Sequence, residues 1–284
     1  MNNQLFYIAL TIFFVGGSLA EYWFTRKKST NYYSLKDTWS SVKLMLSGFL
    51  VDGILKILII YLMLKVSNHA LFQLGYDWWV WALCFIIWDF LFYIKHLAEH
   101  NVRLMWAIHI NHHSSNYMNL STALRSGVFK AFYRYFFHLP IILIGFPIPL
   151  FITLYGIGKL WAFFSHSRYL GQWGVFEKYL ITPNHHLLHH SKEPSNYNKN
   201  FGETLLIWDK FFGTFKKNPG HLQYGIEEEI DHSNFKEVVM HELHHIKNDV
   251  RSTKNLKHKF MYIFGKPGWQ PSNLGEQSYK IINL

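Results

Sequence analysis

The 284 residues are 50% hydrophobic and 19% aromatic, and carry a formal net charge of +10. A single cysteine, Cys84, excludes an intramolecular disulfide, a cysteine-based zinc site and an iron–sulfur cluster held by the chain's own thiolates. No nucleic-acid motif accompanies the basic surplus, so no nucleic acid is expected as a partner; Lys and Arg at membrane edges facing anionic lipid account for it.

The apolar residues concentrate in the first part of the chain. Windows at 5–24, 44–64 and 78–93 are predicted to cross a bilayer, which takes about 20 apolar residues. The cluster Arg26-Lys27-Lys28 follows the first window, whereas a cleavable signal peptide carries its charge ahead. The positive-inside rule puts the 25–42 loop, with Lys36, in the cytoplasm, and the 67–76 loop, without Lys or Arg, on the other side. Asp52 and Lys56 read as a structural ion pair inside the second window. The third window then delivers His96 and His100 to the cytoplasmic face. A fourth block, 128–164, is too long for one crossing and carries Pro140, Pro147 and Pro149 near its middle. It is predicted to be a helical hairpin turning near Pro147-Ile148-Pro149, which brings His166 back to the same face.

Three histidine boxes lie beside these apolar stretches: His96 and His100 in HLAEH, His109, His112 and His113 in HINHH, and His186, His189 and His190 in HLLHH. Spacings of three and four put the rings on one helix face, where neutral imidazoles can converge on metal. Asp89, Tyr93, His96 and His100 form one stripe, so Asp89 is expected to accept a hydrogen bond from a ligating imidazole. Trp106 stands one turn before His109 and is assigned to the cofactor side of the site. Arg103 and Arg125 read as interfacial anchors. Thr182-Pro183 starts a helix behind which His185 is an additional ligand, and His166 is a further one. His241-Glu242-Leu243-His244-His245 matches both H-x-x-H-H and the zinc-protease pattern H-E-x-x-H. No third ligand follows it, and it is expected to be a solvated face of a polar helix over 234–250.

The ordered boxes, together with His112-His113-Ser114-Ser115, Asn119-Leu120-Ser121-Thr122-Ala123-Leu124-Arg125, Trp161-Ala162-Phe163-Phe164, Thr182-Pro183-Asn184-His185-His186, Asn200-Phe201-Gly202 and 208–215, resemble the fatty acid hydroxylase (sterol desaturase) superfamily. Pro267-Gly268-Trp269-Gln270-Pro271 looks like the signature of its alkylglycerol monooxygenase-like branch. Asn116, Met118, Asn198 and Phe201 stand where that branch usually has an acidic residue, Tyr, Asp and Tyr. The resemblance implies two iron ions shared by the eight box histidines, with His166 and His185 added. It also implies O2 as co-substrate and hydroxylation, desaturation or ether cleavage of a lipid alkyl chain. With no dinucleotide fingerprint or fused b-type cytochrome motif, electrons are expected from a separate reductase, ferredoxin, cytochrome or pterin, the branch favouring tetrahydrobiopterin. A membrane zinc hydrolase and a metal transporter are the rival readings. The expected fold is all-α, an integral membrane bundle of about four embedded helical elements under a cytoplasmic helical cap. It divides into 1–80 (transmembrane), 81–218 (catalytic) and 219–284 (polar tail).

Overall fold

A computed structural model describes residues 3–27 and 32–271; Lys28 of the basic cluster lies outside the described residues. As expected, the chain is helical. Among the described residues, pairing between extended segments is confined to the isolated bridges Leu180–Leu205 and Ser191–Tyr224. The long helices are α1 (Asn3–Lys27), α2 (Leu35–Ser67) and α3 (Trp78–Asn101). After Val102 the chain turns into α4 (Arg103–His113). The 128–165 stretch forms α5 (Ala131–Arg134), α6 (Leu139–Ile144) and α7 (Ile148–Ser165). Then come α8 (Pro183–His189), α9 (Ile207–Phe211), α10 (Phe235–Ser252) and α11 (Leu256–Phe264).

Among the described residues, α3 and α7 are long and apolar enough to cross a membrane. α2 is longer still, and Phe49, Leu50, Ile54 and Ile57 on it are exposed. The apolar core lies where α3 meets the hairpin: Val80, Cys84 and Trp88 pack with Ile141, Ile142, Leu150, Phe151 and Leu154, and Met63 of α2 joins them.

The hairpin differs from the sequence expectation. Only its return limb, α7, is a long helix. The outgoing limb breaks into 3₁₀ turns at Val128–Lys130 and Phe136–His138 around α5, then the six residues of α6. Pro140, which lacks an N–H, is tolerated because it opens α6 instead of interrupting a longer helix. The turn falls at Gly145, just before Pro147. There φ is +115°, and a Cβ would meet the Phe72 carbonyl oxygen at 1.9 Å, so only glycine fits. Asp52 pairs with Arg134 on α5, tying α2 to the broken limb.

Two further expectations are corrected. Arg125 is fully buried, with Nη2 3.2 Å from Asp37 of α2 and Nη1 donating to Ser114 Oγ at 3.0 Å. Arg103 is buried too, with Nε 2.8 Å from Glu242 and Nη1 2.6 Å from Asp249. Neither is an interfacial anchor, because each has a carboxylate brought to it from a distant helix. The 241–245 segment is likewise no solvated face. His241 and Glu242 are buried where α10 packs on α4, while Val238 and Val239 join Leu44 and Val128 in a second apolar cluster.

Candidate metal centre

α3 and α7 both end at the site. α3 brings His96 and His100, α4 brings His109, His112 and His113, α7 ends at His166, and α8 brings His186, His189 and His190. These nine imidazoles form two groups. In His96, His100, His109, His113 and His189, one ring nitrogen from each lies within 4.8 Å of all the others; His112, His166, His186 and His190 do the same. The groups adjoin, for the rings of His113 and His190 stack at 4.3 Å. The three- and four-residue spacing explains a subtlety: consecutive His112 and His113 point to different groups because neighbouring positions on a helix diverge.

Backbone carbonyls fix several tautomers. A carbonyl only accepts, so Nδ1 must be the protonated nitrogen where His96 meets Phe201 O (2.8 Å), His112 meets Arg125 O (2.8 Å), His166 meets Ala162 O (2.6 Å) and His189 meets Lys199 O (2.9 Å). Every Nε2 on those rings is then a bare lone pair. Yet His112 Nε2 and His166 Nε2 stand 3.1 Å apart, and His166 Nε2 is 3.1 Å from His186 Nε2. Between His112 and His166 two lone pairs at that distance repel and have no hydrogen to share. A cation accepting both removes the conflict. In the other group, His189 Nε2 and both nitrogens of His100 are buried without a hydrogen-bond partner. Orphaned acceptors aimed at a common centre, all imidazole and no thiolate, fit a divalent transition metal in each group.

Burial pushes the imidazoles outside the apolar spans toward neutrality. His109, His112, His113, His186 and His190 lie well below the usual 6.5. His166 falls to about 3 and His189 to about 4, burial again the main cause. Because the folded values are depressed, the unfolded chain takes up protons first as acid is added. Stability is therefore complete above pH 6.5 and lost as pH falls toward those folded values. Metal-free protein should therefore lose stability progressively across that window. Thermal unfolding of chelated protein between about pH 7.5 and about pH 5 checks this; an unchanged Tm would contradict it.

The remaining predicted residues divide. His185 stands outside both groups: its Nδ1 lies 3.3 Å from the Thr182 amide and from Thr182 Oγ1, closing a capping box at the start of α8. Trp106 packs its ring 5.0 Å from His100 and 5.5 Å from His113. Asp89 touches no imidazole. It accepts from the Thr204 and Leu205 amides at 3.0 and 3.2 Å and from Trp208 Nε1 at 2.9 Å, anchoring the 204–208 segment. The reason is distance, since the seven residues from Asp89 to His96 span about 10 Å of helix. The carboxylate beside a box imidazole is Glu99, 3.4 Å from His109 Nδ1 and held by Lys95, Lys130 and Tyr133. Sequence reasoning passed over it, although it lies inside HLAEH itself. Of the four departures from the branch pattern, Phe201 packs its ring 5.1–5.6 Å from His96, His100 and His189, and Asn198 lines a small cavity beside His100, His113 and His189.

Fold and site together define a helical protein with two adjoining histidine-lined candidate metal positions at the ends of apolar helices. The fatty acid hydroxylase family model matches residues 81–214. The chain is 36% identical over 206 residues to an alkylglycerol monooxygenase of Homo sapiens and 34% over 208 residues to one of Xenopus tropicalis; each match covers 72% of this chain and 46% of the relative. An ornithine lipid hydroxylase of Rhizobium tropici is 28% identical over 139 residues, 49% of this chain and 42% of that one. The chain belongs to the fatty acid hydroxylase superfamily, in its alkylglycerol monooxygenase-like branch. It spans about half the length of the curated relatives it matches. No solved structure matches it.

Proposed function

We propose that this chain is a membrane-bound non-haem di-iron oxygenase that hydroxylates or desaturates an alkyl chain of a lipid. The observation that carries the reading is the pair of adjoining neutral imidazole groups, nine rings in all, which far exceeds the three protein ligands a catalytic zinc needs. One iron is assigned to His96, His100, His109, His113 and His189, the other to His112, His166, His186 and His190. When bound, the reduced pair supplies the activation of O2 toward an alkyl C–H bond. The protein's own work is positional. Carbonyls of Phe201, Arg125, Ala162 and Lys199 hold the rings with Nε2 free, and Glu99 faces His109 from outside. Phe201 and Trp106 line the first group with apolar surface that keeps bulk water away.

The relatives that act on alkylglycerols and ornithine lipids support a lipid substrate, and the exposed apolar helices support a multi-pass membrane setting. Ether cleavage follows if the oxidised carbon bears an ether oxygen. The histidine centre is assigned to the cytoplasmic face, where Arg26, Lys27 and Lys36 lie by the positive-inside rule. Residues 81–218 form the catalytic portion, and a separate donor, a reduced pterin or an electron-transfer protein, supplies electrons. The test is metal stoichiometry and Mössbauer spectra on detergent-purified protein from iron-57-fed cells, with lipids then screened under oxygen. Two coupled irons and an oxygen-dependent alcohol or aldehyde are expected. A single zinc with no oxygenated product would overturn the reading.

A further inference from the structure

The 241–245 box belongs to neither imidazole group, yet the fold carries it to the rim of one. The pairing of Arg103 with Glu242 and Asp249 seats α10 on α4 and turns Glu242 inward. There Glu242 lines a small cavity of ≈ 50 Å³ whose wall also includes His100, His113 and His189. That volume holds a water molecule or two. Arg103 Nε holds Glu242 Oε1 at 2.8 Å, while Oε2 is buried and has no hydrogen-bond partner. Three residues along the helix, His245 Nδ1 lies 3.8 Å from Glu242 Oε2. The other face of that ring, Nε2, is 3.6 Å from Glu228 Oε1. Glu228, with 38% of its side chain exposed, lines both the inner cavity and an open polar cleft of ≈ 570 Å³ on the outer side.

We propose that Glu242, His245 and Glu228 form a proton path from solvent to the cavity beside the first imidazole group. The inference rests on the oxygenase reading. Hydroxylation there balances as R–H, O2, two electrons and two protons giving R–OH and water, the electrons coming from an external reductant. The protons have to cross the protein. His96 and His189 cannot carry them, because Nδ1 is bound to a carbonyl and Nε2 faces the cation position. Glu242 rests as a carboxylate on Arg103, takes a proton at Oε2 from Nδ1 of the imidazolium of His245 and passes it to the cavity. His245, left with its proton on Nε2, turns its ring over to bring the bared Nδ1 to Glu228, which refills it from water in the cleft, so each group returns to its starting state. Two passes supply both protons.

The gaps of 3.6 and 3.8 Å exceed direct hydrogen-bond reach, and a bridging water or a small rotation of the ring closes them. The charged and titratable groups around the path are Arg103, Asp249 and His241 at its inner end, Glu227 on the loop, and the three imidazoles across the cavity.

The test loads the full chain in detergent with cobalt(II), whose visible bands read protonation at the metal, and follows them after a stopped-flow pH jump. His245→Ala should keep its cobalt and slow the change by roughly tenfold or more, with added imidazole restoring the rate. Glu242→Gln should slow it similarly without rescue by imidazole. Equal rates in wild type and His245→Ala, slowing that imidazole does not restore, or bands indifferent to pH would each overturn the path. Because no lipid turnover is read, absence of any oxygenated lipid would sink the oxygenase reading while leaving this result standing.

Discussion

His166→Ala is expected to take the metal content from two per chain to about one and to lower lipid oxidation by roughly a hundredfold or more. His166 belongs to none of the three boxes, yet its Nε2 sits 3.1 Å from those of both His112 and His186, joining rings from α4 and α8. Its Nδ1 is spent on the Ala162 carbonyl in the last turn of α7, which fixes the ring and leaves the Nε2 lone pair free to ligate a metal. Without it the second group falls to three imidazoles and loses the ring between the other two helices. The control is His185→Ala, which removes a histidine from the same helix as His186 but only its cap, and should retain both metals. Elemental analysis of the two variants beside a product assay decides it. Two metals in His166→Ala would remove that residue from the ligand set.

Asp37→Ala should destabilise the protein by about 3–5 kcal/mol, because it leaves the Arg125 guanidinium buried without its counter-charge. Arg125 is wholly enclosed, with Asp37 Oδ1 3.2 Å from Nη2. Asp37 also accepts from Ser115 Oγ at 2.7 Å, two residues after the HINHH box. The consequence extends to the metal centre, for the Arg125 carbonyl is what orients His112. Denaturation in detergent should show the loss, and metal affinity at the second group should weaken with it. Asp37→Asn keeps the hydrogen bond but not the charge and should fall between the two. Wild-type stability in Asp37→Ala would show that the ion pair contributes nothing net.

Much of the site was legible because helical periodicity is local. A spacing of three or four residues places rings on one face whatever the rest of the chain does, so the eight box histidines stood out, and His166 was marked by its place after the hairpin. What failed were the assignments of Asp89, Arg103, Arg125 and the 241–245 segment, whose partners come from other elements. Asp89 shares a stripe with His96, but sequence does not reveal that Thr204, Leu205 and Trp208 arrive to claim it. Arg103 and Arg125 look alike to hydropathy, since nothing local announces Glu242, Asp249 or Asp37. The polar helix at 235–252 was read as solvated because its apolar residues are few; Val238, Val239 and Ile246 suffice to seat it on the rest of the fold.

The sequence by itself determined the helical class, the apolar segments and the box imidazoles through composition and short-range spacing, and the superfamily through the resemblance of its motifs. Tertiary structure alone decided how nine rings divide into five and four, which carbonyls fix their tautomers, and that His185 caps a helix. It also decided that Glu99 and Glu242, not Asp89, stand beside the centre. The reason is range: periodicity fixes which face of a helix a side chain takes, whereas its partner is set by packing between helices many residues apart, often through backbone carbonyls that no residue type signals.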